Sequence, residues 1–294
     1  MTREARPLVF LGTPVAAATI LSELIRGGFE IAHVVTRADA RRGRGSSTTP
    51  SPVKQVAVDN AIDVSHDMTW LQENSEREML GVVVAYGKII PASVLSHTPM
   101  VNVHFSLLPR WRGAAPVERA ILAGDATTGV CIMNVEETLD TGDVFAQREM
   151  NILDSHTAAN LTTDLALLGA ELLVDTLNSG LGAGVPQEGE TTYATKVSTD
   201  ELRLDWNLSS IEVLRRVRAV RSYTMLGNQR LKIIQAELHQ NTEQLSPGLC
   251  DATACVGTRD GAVRLVSVQP EGKAVMDAAS WLRGRSGPEI IQFS

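Results

Sequence analysis

The 294-residue chain has only three cysteines, Cys131, Cys250 and Cys255, and its aromatic content is 4%. So odd and sparse a set of thiols excludes a disulfide-stapled secreted scaffold and fits a reducing, cytoplasmic compartment. Cys250 and Cys255 lack the companion ligands that a zinc site needs, so no metal is expected. Few aromatics leave little for stacking along a single nucleic-acid strand. No apolar run approaches the roughly 18 residues of a membrane span. The opening MTREARPLVFLG passes almost directly into an apolar strand, which is not the layout of a secretory leader. Missing too is a G-x-G-x-x-G turn after the first strand, and no acidic residue ends the second. Both absences speak against a nicotinamide or flavin cofactor.

What is present is globular: 44% hydrophobic and 21% charged residues, in a chain long enough for one large domain or two ordinary ones. The net charge of −7 argues against a generic nucleic-acid binder. Its positive charge is nevertheless concentrated. Arg37, Arg41, Arg42, Arg44 and Lys54 face only Asp39 in one stretch. In a second, Lys196, Arg203, Arg215, Arg216, Arg218, Arg221, Arg230 and Lys232 face Asp200, Glu201, Asp205 and Glu212. Two such patches suit a phosphate backbone gripped locally, although solvated faces have the same composition.

The first half alternates strands and helices. Leu8–Leu11 is a continuous apolar run of the kind found in buried parallel strands. Thr13-Pro14 then reads as cap and first turn of a helix that stops at Gly27-Gly28. A second strand, 31–36, empties into the Arg/Gly/Ser-rich stretch 37–49, which has no hydrophobic period and reads as a functional loop. Ser51-Pro52 restarts a helix. Strands at 81–87, 100–106, 129–135 and 143–152, a helix near 114–123 and a long helix over 154–177 complete an open α/β unit. The expected fold is a Rossmann-like, mostly parallel sheet with helices on both faces. After Gly180 the composition changes: 182–202 reads as a linker, and short strands with turn signals beyond it suggest a small barrel or sandwich.

The chemistry concentrates between Val101 and Gly142. Asn102 and His104 are two apart in a β-prone apolar run, so a strand would put both on one face about 6–7 Å apart. Asp140 follows in a turn, after enough chain for a helix and a return strand. An amide, an imidazole and a carboxylate supply an oxyanion donor and a proton acceptor with an orienting partner. His33, His66, His97, His156 and His239 have no such setting. Trp111, between Arg110 and Arg112, serves either as a stacking platform or as a loop anchor.

The segment NVHFSLLPRWRGAAP with LDTGD downstream resembles the folate-dependent formyltransferases, and within them the branch that formylates methionyl initiator tRNA. FLGTP, GRG…PSPVK, VVVAYGKIIP, AGDATTGVCIM and VQPEGKAVMDAASWLRG extend that likeness over nearly the whole chain. Phe105 stands where the family usually has a small residue, which bears on the pocket wall.

The resemblance implies a formyltransferase catalytic domain over 1–181, the linker 182–202, and an OB-like β-barrel that binds tRNA over 203–294. It implies 10-formyltetrahydrofolate as formyl donor, with Asn102, His104 and Asp140 catalytic. Tyr86, Gly87, Ile90, Ser106, Leu107, Leu108 and Pro109 would line the folate pocket. Arg41, Arg42, Arg44, Arg215, Arg216 and Lys232 would contact tRNA. It implies a cytoplasmic protein, expected as a monomer. Two other readings keep part of the pattern: a formyltransferase for a small amine such as an amino-sugar nucleotide, and a non-catalytic RNA-binding protein on the same scaffold.

Overall fold

Uninterrupted apolar five-residue runs build the middle of the first sheet, because a parallel strand covered on both sides has no face for polar residues. A computed structural model describes residues 3–41, 48–239, 245–285 and 291–294. The chain divides into two compact units. The first comprises Met1–Pro116, Ala126–Leu153 and Ala159–Thr195, and the second Val117–Asp125, Asp154–Ala158 and Lys196–Ser294.

The early strands are β1 (Leu8–Gly12), β2 (Ile31–Val35), β3 (Ala40–Arg41), β4 (Thr48–Thr49), β5 (Val64–Ser65) and β6 (Leu80–Val84). They are followed by β7 (Met100–His104), β8 (Arg112–Gly113), β9 (Thr127–Asn134), β10 (Val144–Asn151) and β11 (Tyr193–Ala194). The helices over this stretch are α1 (Val15–Arg26), α2 (Pro52–Asp59), α3 (Thr69–Glu73), α4 (Ala92–Leu95), α5 (Pro116–Ala123) and α6 (Ala158–Ser179). The main sheet has the order β10-β9-β7-β6-β1-β2-β5. From β7 to β5 all neighbours are parallel; β9 runs antiparallel to both β7 and β10.

Helices cover both faces. Leu71 of α3 and Val94 of α4 pack with Val9, Leu11, Val35 and Val83 on one face. On the other, Gly169 of α6 lies so close that a Cβ there would be 2.9 Å from Val103 Cγ1. Helix starts follow sequence chemistry in one case and not another. Ser51 caps α2, its hydroxyl accepting from Lys54 N–H at 3.0 Å. Thr13 does not cap α1: extended Pro14 holds the cap position, the helix starts at Val15, and the Thr13 hydroxyl is buried without a partner.

The second unit contains α7 (Ser210–Ala219), β12 (Tyr223–Leu226), β13 (Gln229–His239), β14 (Leu249–Cys250) and β15 (Cys255–Gly257). It continues with β16 (Ala262–Pro270), β17 (Met276–Asp277), α8 (Ala278–Arg283) and β18 (Ile291–Gln292). Its sheet runs β12-β13-β16-β15-β14-β18, antiparallel throughout. Met225 N–H donates to Ser294 O at 2.9 Å and Ser294 N–H returns to Met225 O at 3.1 Å, so the ends meet and the barrel is nearly closed. Trp206, Val213, Val217, Leu231, Ile233, Val263 and Phe293 fill it, with Trp206 stacked on Phe293 at 5.8 Å. Ser209 and Glu212 form a reciprocal capping box that fixes the start of α7.

One buried histidine has a consequence for stability. His33 of β2 is 3% exposed, stacks on Trp70 at 4.2 Å, and leaves both ring nitrogens without partners. Burial pushes its pKa below 6.5. The unfolded chain then takes up a proton that the folded one refuses, so the stability held above pH 6.5 is lost as pH falls below it. His33→Phe is expected to keep the stack, stabilise the protein by about 1 kcal/mol and reduce this acid sensitivity. Thermal melts at two pH values check it: the gap between variant and native protein should widen on acidification, and a constant gap contradicts the account.

Candidate active site

Strand alternation delivers the first two side chains. Asn102 and His104 point to the same face of β7, between Val83, opposite Asn102 on β6, and Met133 and Cys131, opposite Asn102 and His104 on β9. Apolar clusters flank them on that face. Tyr86, Ile90 and Val83 belong to one; Leu108, Cys131 and Met133 form the other. His104 is 5% exposed.

The return of the chain supplies the carboxylate. Asp140 Oδ2 lies 3.7 Å from His104 Nδ1, bringing together residues 36 apart. It also accepts a hydrogen bond from Gly113 N–H at 2.8 Å. Asp140 has a left-handed backbone, φ 51°, which aspartate tolerates better than most residues. Two positions later Gly142 is required by close approach, since a Cβ there would lie 2.1 Å from Asn134 O.

The imidazole's other nitrogen decides its proton arrangement. His104 Nε2 is 2.9 Å from Trp111 O, and a carbonyl can only accept, so Nε2 carries a hydrogen. In the neutral ring Nδ1 is therefore the basic nitrogen, and it faces Asp140. This geometry makes Nδ1 a donor only once the ring is doubly protonated. Cys131 is opposite His104, but burial pushes its thiol up to about 11, which leaves no thiolate nucleophile at neutral pH.

The other expected site residues divide. Tyr86 is buried with its hydroxyl lacking a partner, Ile90 is buried, and Gly87 is exposed beside them. Ser106 is spent locally: it donates to Arg110 O at 2.6 Å and closes its own turn. Leu107 packs against Gly129, Leu108 lies in the cluster with Met133, and Pro109 is buried. Trp111 acts through its backbone, whose N–H donates to Thr192 Oγ1 at 2.9 Å, while Arg110 lies over its ring at 4.5 Å. Phe105 points away from the site, toward α6 near Gly169, because it is one residue out of phase with His104. It is not a wall of the site.

Arg41 lies in β3, with its side chain outside the described atoms, and Arg42 and Arg44 lie outside the described residues. In the second unit Arg215 and Arg216 of α7 are half-buried rather than freely presented. Arg216 donates to Glu201 O at 3.3 Å, and Arg215 lies against Gly124. Lys232 is exposed on β13, 3.4 Å from Gln269 Oε1. Among the described residues no group of three His, Cys, Asp or Glu side chains could hold a metal ion, and no helix is long and apolar enough to cross a membrane.

Against known proteins, the family model described as formyl transferase matches residues 6–177, and that described as formyl transferase, C-terminal domain, matches 196–286. The methionyl-tRNA formyltransferase of Clavibacter sepedonicus is 42% identical, over 97% of this chain and 99% of its own. The chain belongs to the methionyl-tRNA formyltransferase family. The Corynebacterium aurimucosum formyltransferase of the same name is 41% identical, over 95% of this chain and 94% of its own. Among solved structures, an N-formyltransferase from Helicobacter canadensis in complex with folinic acid and dTDP-3-aminofucose superposes with a TM-score of 0.67. It covers 92% of this chain and 100% of its own at 18% identity, a likeness of fold.

Within this formyltransferase, residue patterns alone miss three groups at the site: Trp111 O, Gly113 N–H and the side chain of Gln187. The first two are backbone groups, which carry no sequence signature. Gln187 lies in the stretch read as linker, yet 182–195 clusters with the first unit. The β-prone run Thr191–Thr195 was the available signal, and Tyr193–Ala194 within it pairs with β8.

Proposed function

We propose that the protein transfers the formyl group of 10-formyltetrahydrofolate to the α-amine of methionyl initiator tRNA, at a site made by Asn102, His104 and Asp140. The single supporting observation is the convergence of Asp140 on His104, on the face that carries Asn102, in a chain about 40% identical to methionyl-tRNA formyltransferases over nearly its full length. On this reading residues 1–181 form the catalytic domain, 182–202 the connection, and 203–294 a tRNA-binding barrel.

A free α-amine titrates near 7.7–8.0, and an ester beside it lowers that value, so much of the nucleophile is neutral at physiological pH. The harder tasks are the oxyanion and the proton. The Asn102 amide donates toward the formyl oxygen as the nitrogen attacks the carbonyl carbon. The amine proton passes to Asp140, alone or with His104 Nδ1, and is returned to the departing nitrogen. In its doubly protonated form His104 adds a second donor, with its charge balanced by Asp140. Trp111 O and Gly113 N–H keep ring and carboxylate in register. Tyr86 and Ile90 on one side and Leu108 on the other offer apolar cover for a pterin.

Arg41, Arg42, Arg44, Arg215, Arg216 and Lys232 supply positive charge for the acceptor's phosphates. The test offers purified protein 10-formyltetrahydrofolate with either charged initiator tRNA or an amino-sugar nucleotide. Formyl transfer to tRNA is expected, with a tRNA KM that climbs steeply with salt while the donor KM stays level. Transfer to the sugar alone overturns the reading.

A further inference from the structure

Gln187 connects the two pieces of backbone that hold the candidate carboxylate. Its side-chain nitrogen Nε2 donates to Asp140 O at 2.9 Å and to Gly142 O at 2.9 Å. Its oxygen Oε1 accepts from Arg112 Nε at 3.0 Å and Arg112 Nη2 at 2.6 Å. One half-buried amide thus spans the left-handed turn that carries Asp140 and the strand whose next residue, Gly113, donates to the Asp140 carboxylate. Both donors and the acceptor of the amide are used.

The surrounding segment acts in the same direction. β11 pairs in parallel with β8, Arg112 N–H donates to Thr192 O at 2.9 Å, and Ala114 N–H donates to Ala194 O at 2.9 Å. Trp111 N–H donates to Thr192 Oγ1, and Trp111 O receives the His104 ring. Gly113 has φ 126°, and a Cβ there would lie 2.7 Å from Ala194 O, so the ribbon is seated without room for a side chain. Imidazole and carboxylate are each held by residues of the 111–113 segment, and that segment is held by 187–194.

We infer that Gln187 is a positioning residue for formyl transfer: it fixes the Asp140 turn against Arg112–Gly113 and so sets the distance between Asp140 and His104. The inference rests on the site reading given above. Glutamine suits the task because only an amide presents two donors to paired carbonyls and an acceptor to a guanidinium at once. Glutamate there would keep the Arg112 contact and set a carboxylate oxygen against two carbonyl oxygens, whereas a protonated glutamic acid regains one donor.

Gln187→Ala is expected to lower kcat by about tenfold to a hundredfold, the range for a catalytic group displaced by an ångström or less. The donor KM should hold, because the hydrogen bonds of Gln187 go to Arg112, Asp140 and Gly142 and to none of the residues assigned to folate. For Gln187→Glu, the ratio of variant to native kcat should rise as pH falls, since the protonated fraction of the new carboxyl grows about tenfold per pH unit. Native kcat in the alanine variant, or a flat ratio in the glutamate variant, overturns the assignment; should the alanine variant fail to fold, the ratio decides. Asp140→Asn separates the two levels. If it is inactive while Gln187→Ala is native, the site stands and Gln187 is wrongly assigned; if Asp140→Asn retains native turnover, both fall.

Discussion

Asp140→Asn is expected to cut turnover by about 10²–10⁴-fold while leaving the donor KM close to native. Asparagine is nearly the same size, and its side-chain oxygen can still accept from Gly113 N–H, so the left-handed turn and its hydrogen bond survive. Negative charge and basicity do not survive. The group facing His104 Nδ1 at 3.7 Å would neither take the amine proton nor balance a protonated ring. A loss confined to kcat separates this account from a folding defect, which would lower active-enzyme concentration and unfolding temperature together. Single-turnover measurements with enzyme and donor in excess read the chemical step directly. Turnover within a few-fold of native would remove Asp140 from the mechanism.

The second large effect belongs to Asn102. Asn102→Ala removes an amide from the middle of β7 while keeping the strand, whose ladder to β6 and β9 is carried by the backbone. A lost oxyanion donor costs about 3–4 kcal/mol of barrier, or roughly 10²–10³ in kcat. Because the charge on the formyl oxygen exists chiefly in the transition state, the penalty should fall on kcat and leave donor binding nearly unchanged. Asn102→Asp tests the sign of the interaction. It is nearly isosteric but turns a donor into an acceptor and adds like charge near Asp140, so it should be at least as damaging as alanine. An aspartate variant more active than the alanine variant would mean that Asn102 serves the fold and not the oxyanion.

Asn102 and His104 share a face because side chains alternate along any strand, and the apolar run Met100–Phe105 marks the strand plainly. The first sheet was legible for the same reason: its central strands are apolar throughout, and its turns carry Gly, Pro or Ser. Thr13 shows the limit of local pattern. Threonine before proline ahead of a helix reads as a cap, yet extended Pro14 shifts the start by one residue and buries the hydroxyl. Arg215 and Arg216 show another. Charge spacing marks a basic patch, but only packing reveals that these two guanidiniums are half-buried within their own unit.

Local chemistry in the chain was enough to settle the α/β unit, the barrel's short strands, the Asn–His face and, through motif likeness, the family. Those properties depend on near neighbours and on residue types, which a linear string records. Folding settled which atoms meet: Trp111 O on His104, Gly113 N–H on Asp140, and Gln187 across both arms. Three of these contacts end on backbone groups shared by every amino acid, the longest joining residues 47 apart, and the fourth joins Arg112 to Gln187 across 75 residues, so no residue type announces them before the sheet closes.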